Sequence, residues 1–365
     1  MRVLLTSTSY PRAEDDWRGV FIRNLTFALA ALPEVRLSVW APPGPLPPGA
    51  TYACEPAEAA WLDQLAARGG IAQALRSRSL AALGSPLKLL QLLGRACKRS
   101  DAELVHANWL QSALALRGTR TPVVASVLGT DFALLKLPGM VPLLRHVLKG
   151  RRCAIAPNAP WMLPRLQECF GDLARIETVP FGVDRRWYEI VRAPAAAPRR
   201  WLAVMRLTRA KLGPLLEWGE GVFGARDELH LFGPDQERVA LPPWVRWHGP
   251  TNADALAGEW MPGASGLITL SAHDEGLPQV LLEAMAAGLP VIASRIAGHE
   301  TVVEHGVTGS LVSTRQEFAA ALAALSAPGR NTAGGAAARA KVRAEFGTWE
   351  DCARRYLSLY RAVLA

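Results

Sequence analysis

Short apolar runs of strand length alternate with helical patterns along the whole chain, and this alternation constrains the fold more than any other feature. "RVLLT" (2–6) leads through a polar loop into "VFIRNLTFALAAL" (20–32), whose apolar residues recur at helical spacing. "RLSVWAP", "AELVHAN", "TPVVASVLG" and "RCAIAPN" follow as further strands. Because these runs are apolar on both faces, they belong in a parallel sheet covered by helices on each side. "VRAPAAAPRR" (191–200) is rich in Ala and Pro, lacks periodicity and reads as an interdomain linker. Beyond it the alternation restarts with "WLAVMRL", "ELHLFG", "VRWHG", "GLITLS" and "LPVIAS", separated by helical segments such as "PLLEWGEGVFG". Thr314 and Glu317 have the spacing of a capping box ahead of "EFAAALAAL".

A chain of 365 residues is too long for one core of ordinary size, and 50% hydrophobic content supplies two. The expected class is therefore α/β, with two doubly wound Rossmann-like domains in tandem. The first spans 1–190, the linker 191–200, the second domain 201–345 and a final amphipathic helix 346–365. Ligands of such sheets bind beyond the carboxyl ends of the strands, which puts the expected site in a cleft between domains that face each other.

Charge is distributed unevenly. Residues 1–185 carry 22 Lys and Arg against 14 Asp and Glu, whereas residues 186–365 carry 19 against 18. From Arg68 to Arg152 there are 14 basic residues and 3 acidic ones, an excess that favours an anionic surface or partner. "SPLKLLQLLGRACKRS" (85–100) and "LLKLPGMVPLLRHVLKGRR" (134–152) combine leucine-rich faces with cations, as segments lying on an anionic membrane do. Solvated cations over a leucine core explain the same pattern. No apolar run reaches the roughly 20 residues that span a bilayer. The N-terminal run is short for a signal-peptide core and reads as a buried strand. Five scattered cysteines lack metal-ligand spacing, so a reducing cytoplasm without disulfides or zinc is expected.

Chemistry concentrates in "HDEGLPQVLLEAMAAGLPVIAS" (273–294), read as loop, helix and strand. Pro278 suits the first helical turn and Gly288 the helix stop. The helix start offers free N–H groups and a positive dipole end, an arrangement that attracts anions. Glu275 precedes that start and Glu283 follows about two turns later; paired carboxylate oxygens suit hydroxyl groups. Phosphates at the helix start with hydroxyls on two carboxylates describe a nucleotide-sugar. Arg206 and Lys211, in "RLTRAKLG" after the first strand of the second domain, are placed to neutralise a departing diphosphate without a metal. Gly19 opens the first helix after "SYPRAEDDWR" and allows backbone to approach a phosphate, though a plain turn needs it equally.

These segments resemble the E-x7-E signature of the retaining group 1 glycosyltransferases with the two-Rossmann GT-B fold. The likeness runs on through "RLTRAK", "VPFGVD" (179–184), "ELVHANW" (103–109), "GVTGSLV" (306–312) and the terminal "WEDCARRYLSLYRAVL". It implies that Glu275 faces the transferred sugar and Glu283 the ribose. It places Arg206 and Lys211 on the diphosphate, with the amides around Gly276 and Leu277 completing that subsite and Pro278 lining it. It further implies a first domain that takes the acceptor, a second that takes the nucleotide-sugar, and a last helix that crosses back to the first. Transfer with retention and no metal or other cofactor are implied too. Leu128 stands where many relatives have a histidine touching the reacting sugar, so that contact is either absent or supplied by Thr130, Asp131 or His106. The usual Lys-Gly pair reads Lys-Leu-Gly here. The expected activity is transfer to a hydroxyl of a glycan or lipid-linked acceptor in cell-surface polysaccharide or glycolipid synthesis. The expected location is cytoplasmic, extending to the inner face of the cell membrane. A sugar epimerase or phosphorylase on the same fold, and a non-catalytic binder of anionic polymers, are the alternatives. Aromatic residues do not interleave the basic stretch, so no nucleic acid partner is expected.

Overall fold

The apolar runs become two all-parallel sheets. The computed structural model describes residues 1–13, 16–70, 84–129, 131–273 and 275–365. It divides into two units, Met1–Pro180 with Trp349–Ala365, and Phe181–Thr348.

In the first unit seven strands pair in the order β3-β2-β1-β4-β5-β6-β7. They are β1 (Arg2–Thr6), β2 (Arg36–Trp40), β3 (Thr51–Tyr52), β4 (Leu104–Asn108), β5 (Val123–Val127), β6 (Cys153–Pro157) and β7 (Arg175–Ile176). Strand order reverses between β1 and β4, the switch point of a doubly wound sheet. Register sets Asn108 of β4 opposite Ser126 of β5, and Val127 opposite Pro157 of β6, so these strand ends share one edge. β4, β5 and β6 are buried along their length, which is why they read as continuous apolar runs.

The terminal helix Trp349–Leu364 packs on the first helix, Val20–Ala30, and on β5 and β6. Its buried face carries Cys352, Ala353, Tyr356, Leu357 and Tyr360. A polar chain anchors it: His106 Nδ1 meets Tyr360 Oη at 2.6 Å and His106 Nε2 meets Ser126 Oγ at 2.7 Å. Ser126 Oγ in turn meets Tyr356 Oη at 2.7 Å. All four side chains are buried and all are paired, as interior polar groups must be.

In the second unit six strands pair in the order β10-β9-β8-β11-β12-β13. They are β8 (Arg199–Val204), β9 (Asp227–Phe232), β10 (Val245–Trp247), β11 (Ala264–Thr269), β12 (Val291–Ser294) and β13 (Gly309–Val312). Trp201, Ala203, Leu229, Leu231, Ile268 and Phe318 build the core on one face.

Residues 191–200 are not a free linker. The division between units falls at Pro180, and the Arg192 guanidinium donates to Gly288 O (2.8 Å), Ala264 O (2.7 Å) and Asn331 Oδ1 (2.9 Å). Ala193 N donates to Pro262 O, and β8 opens at Arg199. Alanine and proline composition says nothing about such tertiary bonds. Two local expectations also shift. Thr314 caps its helix by accepting from Glu317 N, but Glu317 returns to Ser313 N, one residue outside the capping-box pattern. Only Leu215–Gly219 of "PLLEWGEGVFG" is helical, since the backbone turns left-handed at Gly221. Among the described residues no helix is long and apolar enough to cross a membrane.

Candidate functional site at the carboxyl edge of the second sheet

β11 is buried at every position and releases the chain into a loop from Ser271 to Leu277. Pro278 is extended (φ −72°, ψ 108°) and caps the helix Gln279–Ala286, one residue earlier than its expected place in the first turn. No side chain caps that helix start, so its amides are fixed there by backbone geometry. The other end is tied down by two arginines. Gly288 stops the helix at φ +78°, Arg339 donates to Ala286 O and Ala287 O, and Arg192 donates to Gly288 O. Cations at a helix C-terminus satisfy its last carbonyls and complement its dipole.

Glu275 and Lys211, 64 residues apart in sequence, meet in the site. Lys211 Nζ donates to Glu275 Oε2 at 2.5 Å, with side chains 20% and 11% exposed. Ser271 Oγ donates to the other carboxylate oxygen. Burial pushes Glu275 upward, but the Lys211 ammonium and the hydrogen bonds from Lys211 and Ser271 outweigh it and hold the carboxyl below its ordinary range. Lys211 sits on the short helix Arg209–Leu212, capped by Thr208 and ended by Gly213 at φ +50°. A Cβ on Gly213 would lie 1.9 Å from Leu270 O. The Lys-Leu-Gly spacing therefore seats the lysine helix against the end of β11, an approach only glycine permits. A second close approach comes from the helix Ala297–Glu300 after β12: a Cβ on Gly298 would lie 2.4 Å from Glu275 O. The next residue, His299, is fully buried, with Nε2 3.9 Å from Glu275 Oε1.

Arg206 is exposed two residues past β8, at the same edge. Gly276, Leu277 and Pro278 are buried in the loop. Glu283 is half-buried on the helix, near the "VPFGVD" segment, where Gln279 Nε2 donates to Gly182 O at 3.0 Å. Burial, reinforced by the Asp184 carboxylate, pushes the Glu283 carboxyl up to about 8 against a hydrogen bond from Gln279 and the Arg186 charge. The two glutamates thus differ: Glu275 is an anion in an ion pair, and Glu283 is largely a neutral acid at neutral pH.

Three candidates belong to the first unit. Gly19 caps the helix Val20–Ala30 at φ +70°, where a Cβ would lie 2.7 Å from Ser9 Oγ, so its backbone needs glycine. His106 is corrected. It is fully buried with both ring nitrogens bonded, and burial lowers its pKa to about 3, so it is a neutral anchor for the terminal helix and not a group offered to a sugar. Asp131 is also buried and accepts from Leu110 N (2.9 Å) and Leu128 N (2.8 Å), an arrangement that pins the loops after β4 and β5. Both of its oxygens are engaged by backbone. Thr130 lies outside the described residues. Reading by motif missed Ser271, Gly298 and His299. Ser271 had a signal, four residues before Glu275 in one loop; His299 had none, because its approach depends on the packing of two separate connections.

Residues 218–327 match the model of the family Glycosyl transferases group 1. A D-inositol 3-phosphate glycosyltransferase of Nocardioides sp. is 35% identical over 157 residues, 42% of this chain and 32% of that protein. A probable sucrose-phosphate synthase of Thermosipho melanesiensis is 36% identical over 94 residues, 26% of this chain and 22% of that protein. The matched region thus spans a third or less of these relatives' length. Among solved structures, a sucrose-phosphate synthase of Thermosynechococcus elongatus superposes with TM-score 0.72 at 19% identity, covering 100% of this chain and 99% of that one. Anabaena HepE in complex with UDP-glucose superposes with TM-score 0.67 at 16% identity, covering 99% and 100%. At these identities the likeness is one of fold, and the fold is GT-B.

The raised Glu283 carboxyl sets a sign for pH dependence. A carboxyl bound more tightly by its proton when folded stabilises fully below its unfolded pKa, and that contribution is lost as pH rises through about 8. Glu283→Gln is expected to raise the melting temperature of the ligand-free protein at about pH 9 relative to wild type, and to change it little at about pH 5. Equal shifts at both pH values, read by calorimetry, would contradict the assignment.

Proposed function

We propose that the chain is a group 1 glycosyltransferase and that it moves a sugar from a nucleotide-sugar to a hydroxyl of a glycan or lipid-linked acceptor, with retention at the anomeric carbon. The observation that carries this reading is the Lys211–Glu275–Ser271 cluster beside an uncapped helix start; Ser271, Glu275 and that helix fall inside the region matching the family model, and Lys211 reaches them from just before it. In this reading Lys211 and Arg206 neutralise charge growing on the departing diphosphate, and the amides of Gly276 and Leu277 hold its oxygens. Glu275 orients the transferred sugar and stabilises positive charge on its ring. Glu283, kept protonated by its surroundings, can both donate to and accept from the paired ribose hydroxyls. The bond from the anomeric carbon to the diphosphate breaks as the acceptor oxygen bonds on the same face. The acceptor's proton passes to a phosphate oxygen. Fixed cations do the neutralising, so no metal ion is required, and the product class is cell-surface polysaccharide or glycolipid made on the cytoplasmic side.

A membrane-bound acceptor suits the first unit. The helices Ser85–Arg99 and Met140–Leu148 both pack against the segment Leu110–Leu116. Leu89, Leu93, Leu144 and Leu148 are core, whereas Leu87, Leu137 and Leu143 are 66%, 50% and 46% exposed. Exposed Lys88, Lys136 and Lys149 accompany them. Not all the basic excess is available: Arg99 pairs with Glu58 at 2.9 Å and Arg145 with Asp172 at 2.6 Å. Apolar side chains among exposed cations fit an anionic lipid surface.

Two measurements test these readings. Transfer and hydrolysis assayed over a panel of nucleotide-sugars, with UDP-glucose included, should fall more than about tenfold in Glu275→Gln at unchanged fold, and should persist in EDTA. Wild-type turnover in the variant removes the role of Glu275, and loss in EDTA restored by magnesium removes the metal-free scheme. Flotation should bring the protein up with vesicles containing anionic lipid and less so at high salt; equal flotation with neutral vesicles sinks the surface assignment.

A further inference from the structure

His299 is a buried titratable group beside Glu275 that the proposed reaction leaves without a task. Its tautomer follows from its neighbours. Ser294 Oγ donates its only proton to Ser271 O at 2.7 Å, so the Nδ1 contact at 2.9 Å is a donation from Nδ1–H to Ser294 O. That leaves Nε2 as a bare lone pair. It is buried, it has no hydrogen-bond partner among the described residues, and it lies 3.9 Å from Glu275 Oε1. The histidine has little room to retreat, since its ring is fully buried and the chain at Gly298 runs so close to the loop that a Cβ there would lie 2.4 Å from Glu275 O and 2.9 Å from Gly276 O.

A lone pair facing a carboxylate is tolerable only while that carboxylate has another counter-charge, and Lys211 supplies it. Among the described residues the charged and titratable groups facing His299 are Glu275 and His273 from the loop after β11 and Lys211 from the helix Arg209–Leu212. On its own helix Glu300 pairs outward with Arg295 at 3.6 Å. The same ammonium is assigned above to the diphosphate. A lysine drawn toward phosphate oxygens leaves Glu275 buried with a hydroxyl and a bare imidazole nitrogen.

We propose that His299 is a positioning residue that takes up one proton from solvent at Nε2 when Lys211 turns from Glu275 to the donor's diphosphate, so that an imidazolium replaces the ammonium and holds Glu275 ionised and in place. This rests on the donor reading given above. A protonated Nε2 needs a movement of about 1 Å to make a charge-assisted hydrogen bond to Oε1. In the ligand-free protein burial, the dominant effect, keeps His299 below its ordinary pKa, with Lys211 and His273 acting in the same direction and Glu275 opposing them. Removing Lys211 exposes the Glu275 charge and reverses that balance.

The decisive test needs no donor. In protein labelled with 15N-histidine, two-bond 15N–1H spectra follow the protonation of Nε2 across pH. The titration midpoint of His299 should rise by at least about one pH unit in Lys211→Met and stay low in Lys211→Arg, which keeps the charge. Lys211→Gln carries the same comparison where the methionine variant does not fold. Adding UDP to wild type should produce the same rise, and calorimetry in buffers of different ionisation enthalpy should show proton uptake that disappears in His299→Gln. In that variant the pH profile of kcat/KM should also lose a limb. A His299 midpoint that is unmoved in a folded Lys211→Met protein overturns the proposal. Failure of UDP and other nucleoside diphosphates to bind removes the donor reading instead, while the Lys211→Met comparison still judges His299.

Discussion

One contact governs the second unit's carboxyl edge: the ammonium of Lys211 against the carboxylate of Glu275. Both groups are mostly withdrawn from water, and a charge so placed is stable only when paired. Deleting one member of a buried pair typically costs about 3–5 kcal/mol, because the survivor keeps its desolvation penalty without its attraction. The contact therefore fixes how three connections meet. The turn after β8 brings the lysine, the loop after β11 brings Glu275 and Ser271, and the turn after β12 presses Gly298 and His299 underneath. Glycine at 213 and 298 is what lets the backbones close to this distance. The parallel sheet supplies the frame, since all three connections leave from the same edge.

Support for that edge comes from groups far from it. Arg192 and Arg339 hold the C-terminal end of the helix that starts beside Glu275, so the helix axis and its leading amides cannot drift. The first unit has fasteners of its own, separate from that edge: Asp131 ties two loops by their amides, and the chain from Tyr360 to Tyr356 through His106 and Ser126 secures the terminal helix. Residues that look reactive in a list of side chains are here fasteners. What separates a fastener from a working group is whether its polar atoms are already spent, and His299 Nε2 is notable because it is not.

Much of this was legible in the residues themselves. Continuous apolar runs such as Val123–Val127 become fully buried parallel strands, and the two carboxylates eight positions apart fall one in the loop and one on the helix. Short edge strands such as Thr51–Tyr52 and Arg175–Ile176 left no trace, since two residues carry no period. Residues 191–200 misled because composition reports backbone preference and is silent on the tertiary bonds of Arg192. His106 misled for a related reason: a histidine near a strand end looks available until its burial and two partners are known. His299 was invisible, because its relation to Glu275 spans 24 positions and arises only when β11 and β12 lie side by side.

The central claim is that Lys211 and Glu275 form one energetic unit that a diphosphate divides. A double-mutant cycle of Lys211→Met and Glu275→Gln, read as unfolding free energy with and without saturating UDP, tests it most directly. The account predicts that in the free protein the double variant is less destabilised than the sum of the single variants, by more than about 1 kcal/mol, and that UDP shrinks this coupling. Additivity within about 0.5 kcal/mol in the free protein, or a coupling indifferent to bound UDP, would contradict it.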